Sequence, residues 1–103
     1  MEKRVPKSPV RVVVLDLLKP HKPDILELGK EISRGGGVDV NISVYAVDEK
    51  TESAKLSLAG RDIDLEKIRK VIEDNGAVIH SIDKVVIGSS HIIETPPEPQ
   101  PTK

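Results

Sequence analysis

Apolar and polar residues alternate along this chain with two different periods, and the switches between them lay out six elements. Residues 10–18, VRVVVLDLL, are apolar at nearly every position. A strand that is apolar on both faces sits inside a sheet and is covered on both sides. Val13, Leu15 and Leu17 fall on one face, and Val12, Val14 and Asp16 on the other. The face without the carboxylate is predicted to meet the helices. Pro20 and Pro23 stop the strand, because proline fixes φ and has no backbone N–H to donate. Pro23 suits the first position of a helix. Ile25, Leu28, Gly29 and Ile32 recur at i, i+3, i+4 and i+7, a stripe that predicts a helix over 23–34. The glycine run at 35–37 ends it, since glycine enters the left-handed C-terminal conformation without a Cβ penalty.

Strict alternation takes over at 38–47, where Val38, Val40, Ile42, Val44 and Ala46 interleave with Asp39, Asn41, Ser43, Tyr45 and Val47. That is the pattern of a strand with one buried face. A charged turn at 48–52 leads into a second alternating strand at 53–60, with Ala54, Leu56 and Leu58 inward, and the pair predicts a β-hairpin. Asp64 is placed as the N-cap of a second helix over 65–75, with Ile63 and Ile68 as a hydrophobic staple and Leu65, Ile68 and Ile72 as its apolar face. Asn75 and Gly76 stop it, and 77–83 is the fourth strand.

The order is therefore βαββαβ. Right-handed crossovers with both helices on one face predict an α+β, ferredoxin-like sandwich whose antiparallel sheet runs 4-1-3-2. Residues 84–93, KVVIGSSHII, stay apolar after that topology is complete and are expected to form an extra C-terminal strand or arm. Residues 1–9 are expected to be a flexible N-terminus, 10–93 the domain and 94–103 a Pro-rich disordered tail.

Composition narrows the chemistry. The 103 residues contain no Cys, Trp or Phe and one Tyr. Disulfides and zinc–thiolate sites are excluded, and the core must be aliphatic. With 16 basic against 17 acidic residues the net charge is −1, which argues against a non-specific binder of nucleic acid or anionic membrane. An RNA-recognition sheet also needs exposed aromatics to stack bases, and Tyr45 on an outer strand does not supply that platform. No apolar run is long enough to span a bilayer, and 1–9 lacks the apolar stretch of a secretory signal. The expectation is a cytoplasmic protein.

Four polar features are candidates for function. Lys19, His21 and Lys22 precede the first helix, where they could join its free N–H groups in binding an anion; a solvated loop is the competing reading. Asp16 lies five residues before His21, and a carboxylate and an imidazole can share a metal, although two ligands do not make a site. Asp48, Glu49 and Glu52 crowd the charged turn and offer oxygen ligands to Ca²⁺ or Mg²⁺, against the plainer reading of a solvated hairpin tip. His80 and His91 fit hydrogen-bonded positions within an interface as readily as any site.

Three stretches, LDLLKPHKPDILELGKEIS, VDVNISVYAVDEKTESAKLSLAG and GAVIHSIDKVVIG, resemble a small archaeal family known as domain of unknown function two-eleven. The resemblance covers nearly the whole of 10–93. It implies a ferredoxin-like fold, a cytoplasmic archaeal setting and a ring-like or other homo-oligomer, and it implies no established activity. From the residues, no cofactor is expected, with Ca²⁺ or Mg²⁺ as the alternative. The expected function is a non-enzymatic, self-associating regulatory or ligand-binding module, with a Ca²⁺- or Mg²⁺-binding protein as the alternative and a small enzyme last. Tyr45, Val85, Val86, Ile87 and Ile92 are the expected oligomer contacts, because an isolated two-layer sandwich leaves them no place to be buried.

Overall fold

The chain is organised by the strand that the sequence marks as central. The structure, a computed structural model, describes residues 8–89. Its elements are β1 (Val10–Pro20), α1 (Ile25–Gly36), β2 (Asp39–Val47), β3 (Thr51–Ala59), α2 (Leu65–Asp74) and β4 (Val78–Ile87). The sheet order is β2-β3-β1-β4 with every pairing antiparallel. This is the expected 4-1-3-2 order read from the other edge, and the architecture is the α+β, ferredoxin-like βαββαβ arrangement.

Val13, Leu15 and Leu17 of β1 are buried against Ala54, Leu56 and Leu58 of β3, Leu28 and Ile32 of α1, and Ile68 and Ile72 of α2. Both helices therefore cover the face opposite Asp16. Ile25, Ile42 and Val44, expected in the core, are only partly buried, with Ile42 and Val44 packed on its margin. Ile42 and Val44 lie on β2, which has a neighbour on one side only.

Local chemistry sets the helix ends. Asp24 is the N-cap of α1, its Oδ1 accepting the Glu27 N–H at 2.9 Å. Pro23 thus stands before the cap instead of inside the first turn. At the other end, Gly35 and Gly36 belong to the last helical turn, and Gly37 takes the left-handed conformation at φ 64°, its N–H donating to the Ser33 carbonyl. A Cβ at Gly35 would meet Val71 at 2.9 Å, and one at Gly36 would overlap Ile68. Two of the three glycines thus permit α1 to approach α2, and the third makes the turn. Asp64 caps α2 as expected, accepting from the Lys67 N–H.

The expected C-terminal arm needs correction. Lys84, Val85, Val86 and Ile87 pair with Val14, Val13, Val12 and Val10, so they finish β4 and form no added strand among the described residues. Ile92 and His91 lie outside the described residues. Register shifts interrupt the β1–β4 ladder between Val10 and Val12, Val14 and Leu15, and Asp16 and Leu17. They hide the alternation that would have extended the predicted strand past Asp83. Another shift, between Val44 and Ala46, leaves Tyr45 without a register partner on β3 and puts Val47 opposite Glu52. A bulge of one residue reverses which face the following residues occupy. Val47 therefore falls on the helix side and not on the open face where simple alternation puts it.

Candidate functional site

The polar residues singled out by sequence separate onto two sides of the sheet. The first group joins the β1–α1 loop to the β2–β3 hairpin. Lys19 continues the inward series of Val13, Leu15 and Leu17, and its side chain is fully buried. A buried ammonium must be paired and hydrogen-bonded. Here Nζ donates to Glu52 Oε1 at 2.9 Å and to the Pro20 carbonyl at 2.8 Å. Glu52 is the register partner of Lys19 on β3, so the pair follows directly from the β1–β3 ladder. The second oxygen of Glu52 lies 3.0 Å from His21 Nδ1, and His21 Nε2 lies 2.9 Å from the Glu49 carbonyl.

The charges reinforce one another. The hydrogen bond to Glu52 and then that to the Glu49 carbonyl hold the His21 pKa above its ordinary value, against the opposing charge of Lys19. Hydrogen bonds from His21 and then Lys19 hold the Glu52 carboxyl below the usual range. This arrangement differs from an anion site. Lys19 and His21 turn to the same carboxylate, Lys22 is exposed on the loop, and the α1 N-terminus is capped by Asp24. The turn carboxylates are likewise divided, with Asp48 and Glu49 exposed and Glu52 engaged by two cations.

The second group lies on the open face. Asp16 is the register partner of Lys55, and the Tyr45 hydroxyl hydrogen-bonds with the Asp16 carboxylate, 2.7 and 2.8 Å from its two oxygens. Lys55 Nζ lies 2.7 Å from Asp83 Oδ2 and 3.8 Å from Asp16 Oδ1, and Ser81 Oγ donates to Asp83 Oδ1 at 2.8 Å. The Asp16 carboxylate raises the Tyr45 pKa, Asp83 raises that of Lys55, and Lys55 followed by Ser81 lowers that of Asp83. Asp16 and Glu52 thus lie on opposite faces and cannot share an ion, and Asp16 and His21 do not meet. Among the described residues no three His, Asp or Glu side chains are grouped to hold a metal. Lys55, Ser81 and Asp83 were not singled out by sequence. The Asp16–Lys55 pairing follows once the β1–β3 register is known, whereas Asp83 reaches Lys55 from a position where the β1–β4 register shifts.

The third feature is apolar. On β4, Val78, Ile82, Val85 and Ile87 are each about half exposed, between 48% and 54%. Val86, expected with them at an interface, is instead buried opposite Val12 on β1. Ile82 and Val85 lie opposite Leu15 and Val13 on the helix face, where a ten-residue helix such as α2, about 15 Å long, cannot cover a ten-residue strand of about 33 Å. Val78 lies opposite Leu18 on the open face. At the other edge Tyr45 and Val47 are exposed. A groove of about 640 Å³, lined by Leu26, Gly29, Lys30, Val40 and Ile42 among others, runs between α1 and β2. No helix among the described residues is long and apolar enough to cross a membrane.

Comparison with known proteins agrees with the architecture. Residues 11–102 match the model of the DUF211 family, described as uncharacterized ArCR. An uncharacterized protein of the archaeon Methanocaldococcus jannaschii, MJ0319, is 42% identical over 92 residues, which cover 88% of this chain and 94% of that protein. With a family match across most of its length and a relative this similar, the chain belongs to the DUF211 family.

Proposed function

We propose that this protein is a non-enzymatic module that works as a homo-oligomer, assembled through the exposed edges of its sheet. The observation that carries the reading is β4, an edge strand with four half-exposed aliphatic side chains, Val78, Ile82, Val85 and Ile87. Unpaired strand edges recruit further strands unless charge, proline or cover blocks them. Aliphatic side chains left exposed along such an edge, on both faces of the strand, favour association there. The free edge of β2, with exposed Tyr45 and Val47, is the complementary partner. A β4-to-β2 contact is heterologous, and its repetition closes into a ring when the rotation permits. The groups able to perform acid–base chemistry in the first loop favour a structural role, because His21 and Glu52 are engaged by one another and by neighbouring groups of the same chain.

Light scattering of the full chain at tens of micromolar, a concentration far above the Kd of a stable complex, tests the reading. The expected mass is a multiple of the single chain. The exposed positions of β4 tolerate charge in a monomer, so Ile82→Lys combined with Val85→Lys should preserve the circular dichroism spectrum and shift the mass toward one chain. A wild-type protein that stays monomeric at that concentration would refute the proposal.

A further inference from the structure

We propose that His21 is a pH-sensitive latch that, as an imidazolium, ties the β1–α1 loop to the tip of the β2–β3 hairpin and releases the tip when it loses a proton. Hydrogen-bond valence sets the charge of the ring. Nδ1 faces Glu52 Oε2 at 3.0 Å and Nε2 faces the Glu49 carbonyl at 2.9 Å. A backbone carbonyl only accepts, and so does an ionised carboxylate. The other oxygen of Glu52 accepts from the Lys19 ammonium, which keeps that carboxylate ionised. Both ring nitrogens must therefore donate, and imidazole has two N–H groups only when it is charged. In either neutral tautomer one nitrogen lone pair points at an oxygen, so one of the two contacts becomes repulsive.

The charged groups around the ring give the balance. From β3, Glu52 favours the cation, and from the hairpin tip the Glu49 carbonyl does the same. From β1, Lys19 opposes it. In the loop and at the start of α1, Lys22 and the positive end of the helix dipole oppose it and Asp24 favours it. Asp48, Glu49 and Lys50 carry their side chains exposed at the tip, where solvent screens them. Because the two hydrogen-bond acceptors dominate, the folded pKa is raised. The latch is then fully engaged below the pKa of the unfolded chain and lost as pH climbs through the higher folded value.

Release is local. The Lys19–Glu52 pair remains at the base of the hairpin, and the turn beyond it is closed by the Asp48 N–H donating to the Thr51 carbonyl at 2.7 Å. The tip at 48–50 is the part that His21 holds against the first loop. This device is independent of how copies of the chain assemble.

Imidazole nitrogen NMR, read together with amide exchange on the full chain between about pH 5.5 and 9, provides the test. Below its midpoint, His21 should show two protonated ring nitrogens, and the midpoint should lie above the unperturbed value of about 6.5. Through that midpoint the Lys50 amide resonance should shift, since it follows the Glu49 carbonyl in the chain. Protection of the Asp48 amide, corrected for base-catalysed exchange, should fall several-fold over the same range. In His21→Ala, Asp48 should have the low protection at every pH while the Leu56 amide in β3 stays protected, showing an intact fold. A neutral tautomer at pH 6, a midpoint at or below about 6.5, or Asp48 protection that does not change through the titration would overturn the proposal.

Discussion

Replacing Gly29 and Gly36 by alanine, one at a time, should change stability in opposite directions although both lie in α1. At Gly29 an added Cβ would sit 3.5 Å from the Ile42 Cγ2 and 3.7 Å from the Val40 Cγ1, ordinary contact distances that fill space without displacing anything. Alanine is favoured over glycine inside a helix by about 1 kcal/mol, and burying one methyl contributes roughly 0.8 kcal/mol. The sum is an upper bound, since the site opens onto the α1–β2 groove, and a gain of about 1 kcal/mol is expected. At Gly36 the Cβ would overlap the end of Ile68. Ile68 is fully buried within the core cluster, so displacing its δ-methyl presses on close-packed neighbours. Overpacking of this kind costs about 1–3 kcal/mol, more than the helix preference returns. For a domain of this size, 1 kcal/mol moves Tm by roughly 4–8 °C. Thermal and urea unfolding of both variants at one fixed protein concentration, which holds any association constant, would show Gly29→Ala above wild type and Gly36→Ala below it. A Gly29→Ala variant that melts lower than wild type would refute the packing described for α1 against β2.

Two further predictions concern single groups. Asp24→Ala removes the acceptor for the Glu27 N–H and should cost about 1 kcal/mol, read as a lower urea midpoint with an unchanged slope. The Asp83 carboxyl is held below its usual range by Lys55 and Ser81, so it adds stability above its unfolded pKa of about 4 and loses it as pH falls through the lower folded value. Asp83→Asn should therefore flatten the acid side of the stability profile while leaving the slope near neutrality unchanged, as followed by urea midpoints across that range.

The large features of the fold were legible because they rest on repetition. β1 could be placed inside the sheet because its apolar residues fill both faces, and the helices were visible as apolar stripes stopped by glycine turns, with Asp64 as the cap of α2. Asp24, the cap of α1, was hidden behind Pro23, which reads as the first helical residue. What escaped was set by single-residue events. The shifts that interrupt β4 scramble a period of two, so its last four residues read as a separate arm. The unpaired position at Tyr45 leaves the written alternation intact while turning Val47 to the other face. Lys19 carried a signal that charge concealed: it stands two residues after Leu17, on the buried face, and a lysine near a Pro-His-Pro loop reads as solvent-exposed. Its partner, Glu52, becomes evident only when the β1–β3 register is known. The same limit applies to the open face, where Asp16, Tyr45, Lys55 and Asp83 come from four strands and share no local motif.

The irregular ladder between β1 and β4 also bears on what this edge can accept. Its three register shifts, two of which leave an extra residue on β4, go with local bending and twist, and a bent edge is a poor template for the flat, in-register stacking of fibrils. A passing extended chain would match it over a few residues and then fall out of step. A neighbour with the same curvature would keep contact along the whole strand. The irregularity would thus filter by shape, disfavouring indiscriminate aggregation along this edge.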